Sequence, residues 1–221
     1  MARRGAKQTR RRSANSRGQD SQARILDAAE SQFAKNGYGG ARTQEIADTA
    51  GVTKAMIHYY FGSKERLFRA VLDRILFELI KLVQEVTSSE TSRVVRFDAF
   101  MRGFFDYAVR HPNLGRLTFL VGGEERPYFD NIVEGFFRPL FARGVAFIEE
   151  GIADGSFRQV DAPHFLLAIY ATTMEYLADA RFVTMVLEQD AMGPLALHVR
   201  KEALMDMAYR TLGVEPPARR R

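Results

Sequence analysis

The side chains best placed for chemistry lie between residues 43 and 61. Lys54, His58 and Tyr59 put three hydrogen-bonding groups within six residues, and Gln44 and Thr53 add an amide and a hydroxyl. Such groups can meet phosphate oxygens and base edges. Ala55 and Met56, between them, are apolar and suit the methyl group of thymine. No set of residues competes as a catalytic centre. The four histidines, His58, His111, His164 and His198, are scattered and lack metal-ligand spacing. The chain has no cysteine, which excludes disulfides, thiolate zinc sites and cysteine nucleophiles. Neither a phosphate-binding glycine loop nor a nucleophile motif is present. The expectation is a protein that is not an enzyme and holds no metal or cofactor.

Presenting these groups on one surface takes two short helices. Thr43 is expected to cap the first, with Glu45 in its first turn, where the helix dipole favours a carboxylate. Ile46, Ala47 and Ala50 then share one face. Gly51 can adopt the left-handed conformation that ends a helix. Thr53 is expected to cap the second helix, which buries Ile57, Tyr60 and Phe61 and turns Lys54, Ala55, Met56, His58 and Tyr59 outward. This is the helix-turn-helix pattern, in which the second helix enters the DNA major groove.

The flanks extend the pattern. Arg24-Ile25-Leu26-Asp27-Ala28-Ala29, Phe33 and Gly37-Tyr38 precede it, and Phe61-Gly62-Ser63-Lys64-Glu65-Arg66-Leu67-Phe68 follows. Residues 24 to 68 as a whole resemble the DNA-binding domain of the TetR family of bacterial repressors. The resemblance implies DNA contacts at Thr43, Gln44, Thr53, Lys54, Ala55, Met56, His58, Tyr59 and Lys64. The family usually has a small residue, then Thr or Leu, after the lysine. Ala55 and Met56 stand there in this chain, a difference that bears on the bases read.

Charge is distributed to match. The net charge is +5, yet residues 1 to 20 carry seven Lys and Arg against one acid, while residues 87 to 218 carry 13 against 18. A chain basic at one end suits a polyanion held by that end only. Residues 1 to 20 have almost no apolar side chains, and a flexible basic arm is expected there, either touching DNA or simply solvated. No apolar run approaches the ~18 residues of a membrane span, and nothing among the first residues has the apolar core expected of a secretory leader. A cytoplasmic location is expected.

The remainder reads as helices. One is expected from about Asp20 to Gly37, and a long one carries Leu67 through Val83. A polar break at residues 87 to 92 precedes Phe97, Phe100, Met101, Phe104 and Phe105, which recur at helical spacing. Further helices are expected over 114–121, from Phe129 to about Gly151, over 163–187 and over 195–212. The predicted fold is all-α, of about nine helices: a basic arm (1–20), a helix-turn-helix domain (21–68), a helical effector-binding and dimerisation domain (69–213) and a tail (214–221).

By resemblance, the last two long helices, roughly 163–187 and 195–212, form a homodimer, and the body encloses a small-molecule effector pocket. Binding there tilts the fourth helix and spreads the two recognition helices. The aromatic richness of the body offers Phe100, Phe104, Tyr107, Phe119, Phe136 and Phe137 as lining residues, with Tyr170, Met174 and Tyr176 from a later helix. Arg102, Glu175, Asp179 and Arg181 could orient a polar group. The function expected is a sequence-specific transcriptional regulator, a repressor released from an inverted-repeat operator by an effector. Two alternatives remain open: an architectural DNA binder driven by the basic arm, and a regulator whose body binds a protein in place of a small molecule.

Overall fold

A computed structural model describes the backbone of residues 2–123, 130 and 133–217, with side chains over 18–86, 88–118, 130 and 133–217. The described residues form ten α-helices and one π-helical turn. They are α1 (Ala2–Gly40), α2 (Thr43–Ala50), α3 (Lys54–Phe61), α4 (Lys64–Ser88), α5 (Arg93–Arg110), α6 (Leu114–Gly123), α7 (Arg138–Ala153), α8 (Ala162–Ala178), α9 (Ala180–Leu187) and α10 (Pro194–Leu212). The π turn, Val133–Phe137, leads into α7. The chain divides into two compact units, Met1–Arg74 and Ile75–Arg221, and the division falls inside α4.

In the first unit, Ile25, Ala29 and Phe33 of α1 recur every three or four residues and are fully buried with Ile46, Ala47, Leu67 and Phe68. Each large side chain so buried stabilises the unit by about 1.5–3 kcal/mol. The Phe33 and Phe68 rings meet edge to face at 4.9 Å, and Tyr38 stacks on Phe33 at 5.9 Å. Arg74 ties α4 to α1 through Asp27 (2.6 Å) and Glu30 (2.8 Å).

The N-terminal segment departs from expectation. The backbone is helical from Ala2, not from Asp20, and runs to Gly40 with a break at Gly37 (φ 70°, ψ 170°). Residues 2–20 hold no proline and are rich in Ala, Arg and Gln. They lengthen a helix already nucleated by the packed stretch after them, at little further cost.

The core of the second unit joins Phe97, Met101 and Phe105 of α5 to Ile148 of α7, Phe165 and Ile169 of α8, and Leu204, Met205 and Leu212 of α10. Gly151 permits the closest approach: a Cβ there would stand 2.2 Å from the Phe157 ring. Across α5 and α10, Arg102 pairs with Asp98 (3.0 Å) and Glu202 (2.8 Å), and the Tyr209 hydroxyl donates to Asp98. These carboxylates hold the Arg102 guanidinium well above its ordinary pKa, Glu202 most.

The predicted 163–187 helix is two helices. Asp179 leaves helical geometry (φ −120°, ψ 48°), and its carboxylate accepts from the Phe182 N–H, capping α9. A short polar side chain that can bond a nearby backbone N–H offers the chain an alternative to continuing α8.

Candidate nucleic-acid interface and ligand cavity

The turn between α2 and α3 is built around Gly51, whose backbone is left-handed (φ 64°, ψ 39°) and whose N–H donates to Asp48 O at 3.2 Å. A side chain at that φ crowds its own carbonyl, so glycine is favoured. Val52 N closes the turn onto Ala47 O at 3.0 Å. Ile57 anchors α3, being 1% exposed. Tyr60 and Phe61, expected in the core, are only half-buried. They pack in a row with Tyr59, at 5.1 and 6.4 Å between successive rings.

The outward face is as the spacing predicted. Lys54, Ala55, His58 and Tyr59 are exposed, Tyr59 at 84%, and Met56 is half-buried. Thr53 sits at the N-cap, exposed, with no cap bond from its hydroxyl. That hydroxyl and the α3 N-terminus together suit an anion. His58 Nδ1 lies 3.1 Å from Gly62 O. A carbonyl only accepts, so Nδ1 is the donor in this bond, which leaves Nε2 for another partner.

One expectation needs correction. Thr43 is not the cap of α2: Arg42 holds that position in extended geometry (φ −105°, ψ 131°), and Thr43 is the first helical residue. Lys64, past the end of α3, is half-buried. Its ammonium lies 4.8 Å from the centre of the Tyr38 ring and donates to Gly39 O at 3.3 Å, where it serves the end of α1. Gln44 is exposed, with its amide donating to Asp48 at 2.8 Å, so one donor is engaged and a second remains. Sequence reasoning passed over Arg42, whose side chain is 80% exposed at the start of α2. Its place directly before a buried-face helix was the available signal.

The second unit contains a cavity of about 150 Å³ lined from α4, α5, α6, the π turn, α7 and α8. Phe100, Phe104, Phe137 and Tyr170 line it, as expected. Tyr107 does not: it is 1% exposed and donates to Ile75 O at 2.9 Å, a core tie to α4. Met174 packs beside Gly115 instead. Tyr176 donates to Ala191 O at 3.0 Å and lies under the Arg200 guanidinium. Phe136, half-buried in the π turn, is not among the lining residues. The side chain of Phe119 lies outside the described residues. Arg102 is spent between α5 and α10, and Asp179 caps α9; neither they nor the exposed Glu175 and Arg181 line the cavity.

Sequence reasoning missed the aliphatic wall from α4, Leu76, Leu79, Val83 and Val86, along with Thr118, Phe141, Arg143 and Phe147. The Tyr170 hydroxyl donates to Thr118 Oγ1 at 2.6 Å, and burial pushes its pKa up, so it stays a neutral phenol.

Comparison with known proteins agrees with this arrangement. The sequence profile of bacterial regulatory proteins of the tetR family matches residues 25–71. The transcriptional repressor SCO4008 of Streptomyces coelicolor is 31% identical over 154 residues, covering 67% of this chain and 74% of that protein. The transcriptional regulator RutR of Escherichia coli is 28% identical over 152 residues, 69% of this chain and 71% of that one. Among solved structures, the regulator FadR of Bacillus subtilis, in complex with stearoyl-CoA, superposes with a TM-score of 0.65 at 19% identity over 86% of this chain and 98% of that one. With α3 exposed behind its Gly51 turn and a helical body of the same architecture, the chain belongs to the TetR family of bacterial helix-turn-helix transcriptional regulators and is not an enzyme.

Proposed function

We propose that the protein is a cytoplasmic repressor that binds an inverted-repeat operator as a homodimer and is released by a small apolar effector. The observation that carries the reading is the α3 face, where Lys54, His58 and Tyr59 are exposed although Ile57 beside them is fully buried. Lys54 and Thr53 meet phosphates, His58 Nε2 accepts from a base amino group, and Ala55 and Met56 touch thymine methyls. Gln44 and Thr43 reach the DNA from α2, and Tyr59 anchors a phosphate. Lys64 contributes by fixing the end of α1.

One such unit covers a half-site, and a second copy supplies the other. The dimer reading is supported by apolar surface on the last helices. Leu167 of α8, Phe182 and Met185 of α9, and Leu195 and Val199 of α10 are 49–75% exposed, a patch larger than scattered surface leucines explain. Arg200 Nε, in the same region, is buried without a hydrogen-bond partner among the described residues.

The effector reading is supported by the cavity wall, apolar apart from Thr118, Tyr170 and Arg143. FadR, a regulator of similar fold, holds stearoyl-CoA. A single helix, α4, carries Leu67, Phe68 and Val71 of the first unit's core and Leu76, Leu79 and Val83 of the cavity wall. An effector that prefers the DNA-incompetent setting of α4 lowers operator affinity by that preference, and operator lowers effector affinity by the same factor.

The test is selection of bound sequences from random duplex DNA by the full-length protein at near-physiological salt. An inverted repeat is expected. Unrelated sequences, bound with an affinity that collapses as salt rises, would leave only the basic N-terminal segment at work and would sink the specific-repressor reading.

A further inference from the structure

The cavity of the second unit is electrically one-sided. Its interior has no donor to spare. The Tyr170 hydroxyl gives its proton to Thr118, and Thr118 Oγ1 gives its own to the carbonyls of Leu114 and Gly115, each at 3.0 Å. The wall's charge is Arg143 of α7, exposed and without an ion pair among the described residues. One turn further along α7, on the same side of the helix, is Phe147. Over the Phe147 ring lie two guanidinium groups, Arg96 at 5.0 Å and Arg93 at 5.2 Å. Arg93 is matched by Glu150 (3.3 Å) and Asp154 (2.8 Å). Arg96 donates to the carbonyl of Val86, itself a wall residue, at 2.8 Å. Arg143 is therefore the one charged side chain among the described lining residues, and the rest of the wall is hydrocarbon and closed hydroxyls.

We propose that the cavity takes a single-chain amphiphile with an anionic head. The hydrocarbon chain lies among Leu79, Val83, Phe100, Phe104 and Phe137, and the head is held by Arg143. This rests on the reading of the cavity as the effector site and adds the polarity and the charge of its ligand. A ring-shaped or cationic effector fits this wall poorly: a cation meets Arg143, and a polar ring finds no donor inside. The head's chemistry is that of a carboxylate or of phosphate oxygens, both of which a guanidinium grips in bidentate fashion. A free fatty acid supplies the first and an acyl nucleotide thioester the second.

The test is calorimetric titration of the full-length protein with laurate, lauroyl-CoA and dodecanol below their aggregation limits, repeated on Arg143→Gln. At least one of the anionic ligands is expected to bind tenfold or more tightly than dodecanol. Arg143→Gln is expected to erase that advantage without changing dodecanol affinity or the melting temperature, since Arg143 is exposed. Preference for laurate assigns a carboxylate head, and preference for lauroyl-CoA assigns a phosphate-bearing one. Equal binding of dodecanol and both anions, or an unchanged advantage in Arg143→Gln, overturns the anionic head while leaving the apolar effector cavity standing. Failure of all three to bind overturns both.

Discussion

The two units solve opposite problems with the same element. In the first, function sits on the outside of a short helix, and the core exists to hold that helix still: Ile57 is 1% exposed and Tyr59, two residues on, is 84%. In the second, the proposed effector site is inside. The residues that would touch a ligand belong to the same helical faces that make the core, and they differ from core only in having nothing packed against them. A recognition surface is thus written in the alternation of one helix. A cavity is written in the mismatch between several.

The sharpest way to probe that contrast is to truncate one phenylalanine of each kind in the body. Phe105 is 2% exposed in the main core, whereas Phe137 is half-buried in the cavity wall. Phe105→Ala is expected to destabilise by about 3–5 kcal/mol, the range for a buried aromatic replaced by alanine. Phe137→Ala, beside space that already exists, is expected to cost less than about 1.5 kcal/mol and to change effector affinity instead. Urea melts of both variants, with effector titration of the second, decide it. Equal destabilisation would mean the cavity is closed core.

The same contrast explains what could be read from the chain alone. The helix-turn-helix was legible because Gly51, the Ile46–Ala47–Ala50 face and Ile57 each answer a local requirement, and the α3 exposures follow from the 3.6-residue period. The cavity was half legible. Phe100, Phe104, Phe137 and Tyr170 line it, but Tyr107 and Tyr176 found hydrogen-bond partners at Ile75 O and Ala191 O and left it. Which of two aromatic residues on one face meets a void depends on the helix opposite, and periodicity carries no such information. Local competition was also hidden. Asp179 capping α9 split a long apolar stripe.

Within the first unit, two lysines sharpen the same distinction at smaller cost. Lys54 is exposed on α3, whereas Lys64 is folded over Tyr38. Lys54→Met is expected to weaken operator binding by about 1–3 kcal/mol, roughly 5- to 150-fold, with an unchanged melting temperature. Lys64→Met is expected to lose about 0.5–1 kcal/mol of stability, the worth of an exposed cation over an aromatic face, and to leave operator affinity within about threefold. Fluorescence anisotropy on a selected operator, paired with thermal melts, measures both. If Lys64→Met proves the worse binder, its ammonium leaves Tyr38 to meet phosphate.

The smallest expected effect sets two carboxylates of α4 against each other, one on each side of the division between units. Asp73, in the first, has its pKa raised, chiefly by burial and against the pull of Arg69. Glu78, in the second, has its pKa lowered, chiefly by its hydrogen bond with His111 at 3.3 Å and also by Arg110. A raised carboxylate gives stability that is present below the unfolded pKa, about 3.9, and lost as pH rises through the folded value. A lowered one gives stability present above the unfolded pKa, about 4.3, and lost as pH falls through the folded value. Asp73→Asn should therefore stabilise at pH 7, and Glu78→Gln should destabilise at pH 6. Both differences from the parent should shrink towards zero by about pH 3. Each side chain is about half exposed, so each effect is held below about 1 kcal/mol by solvent screening. Urea melts across that range give the comparison directly. Stabilisation by both substitutions would mean that burial, not pairing, governs both carboxylates, and that His111 does not hold α4 against α5.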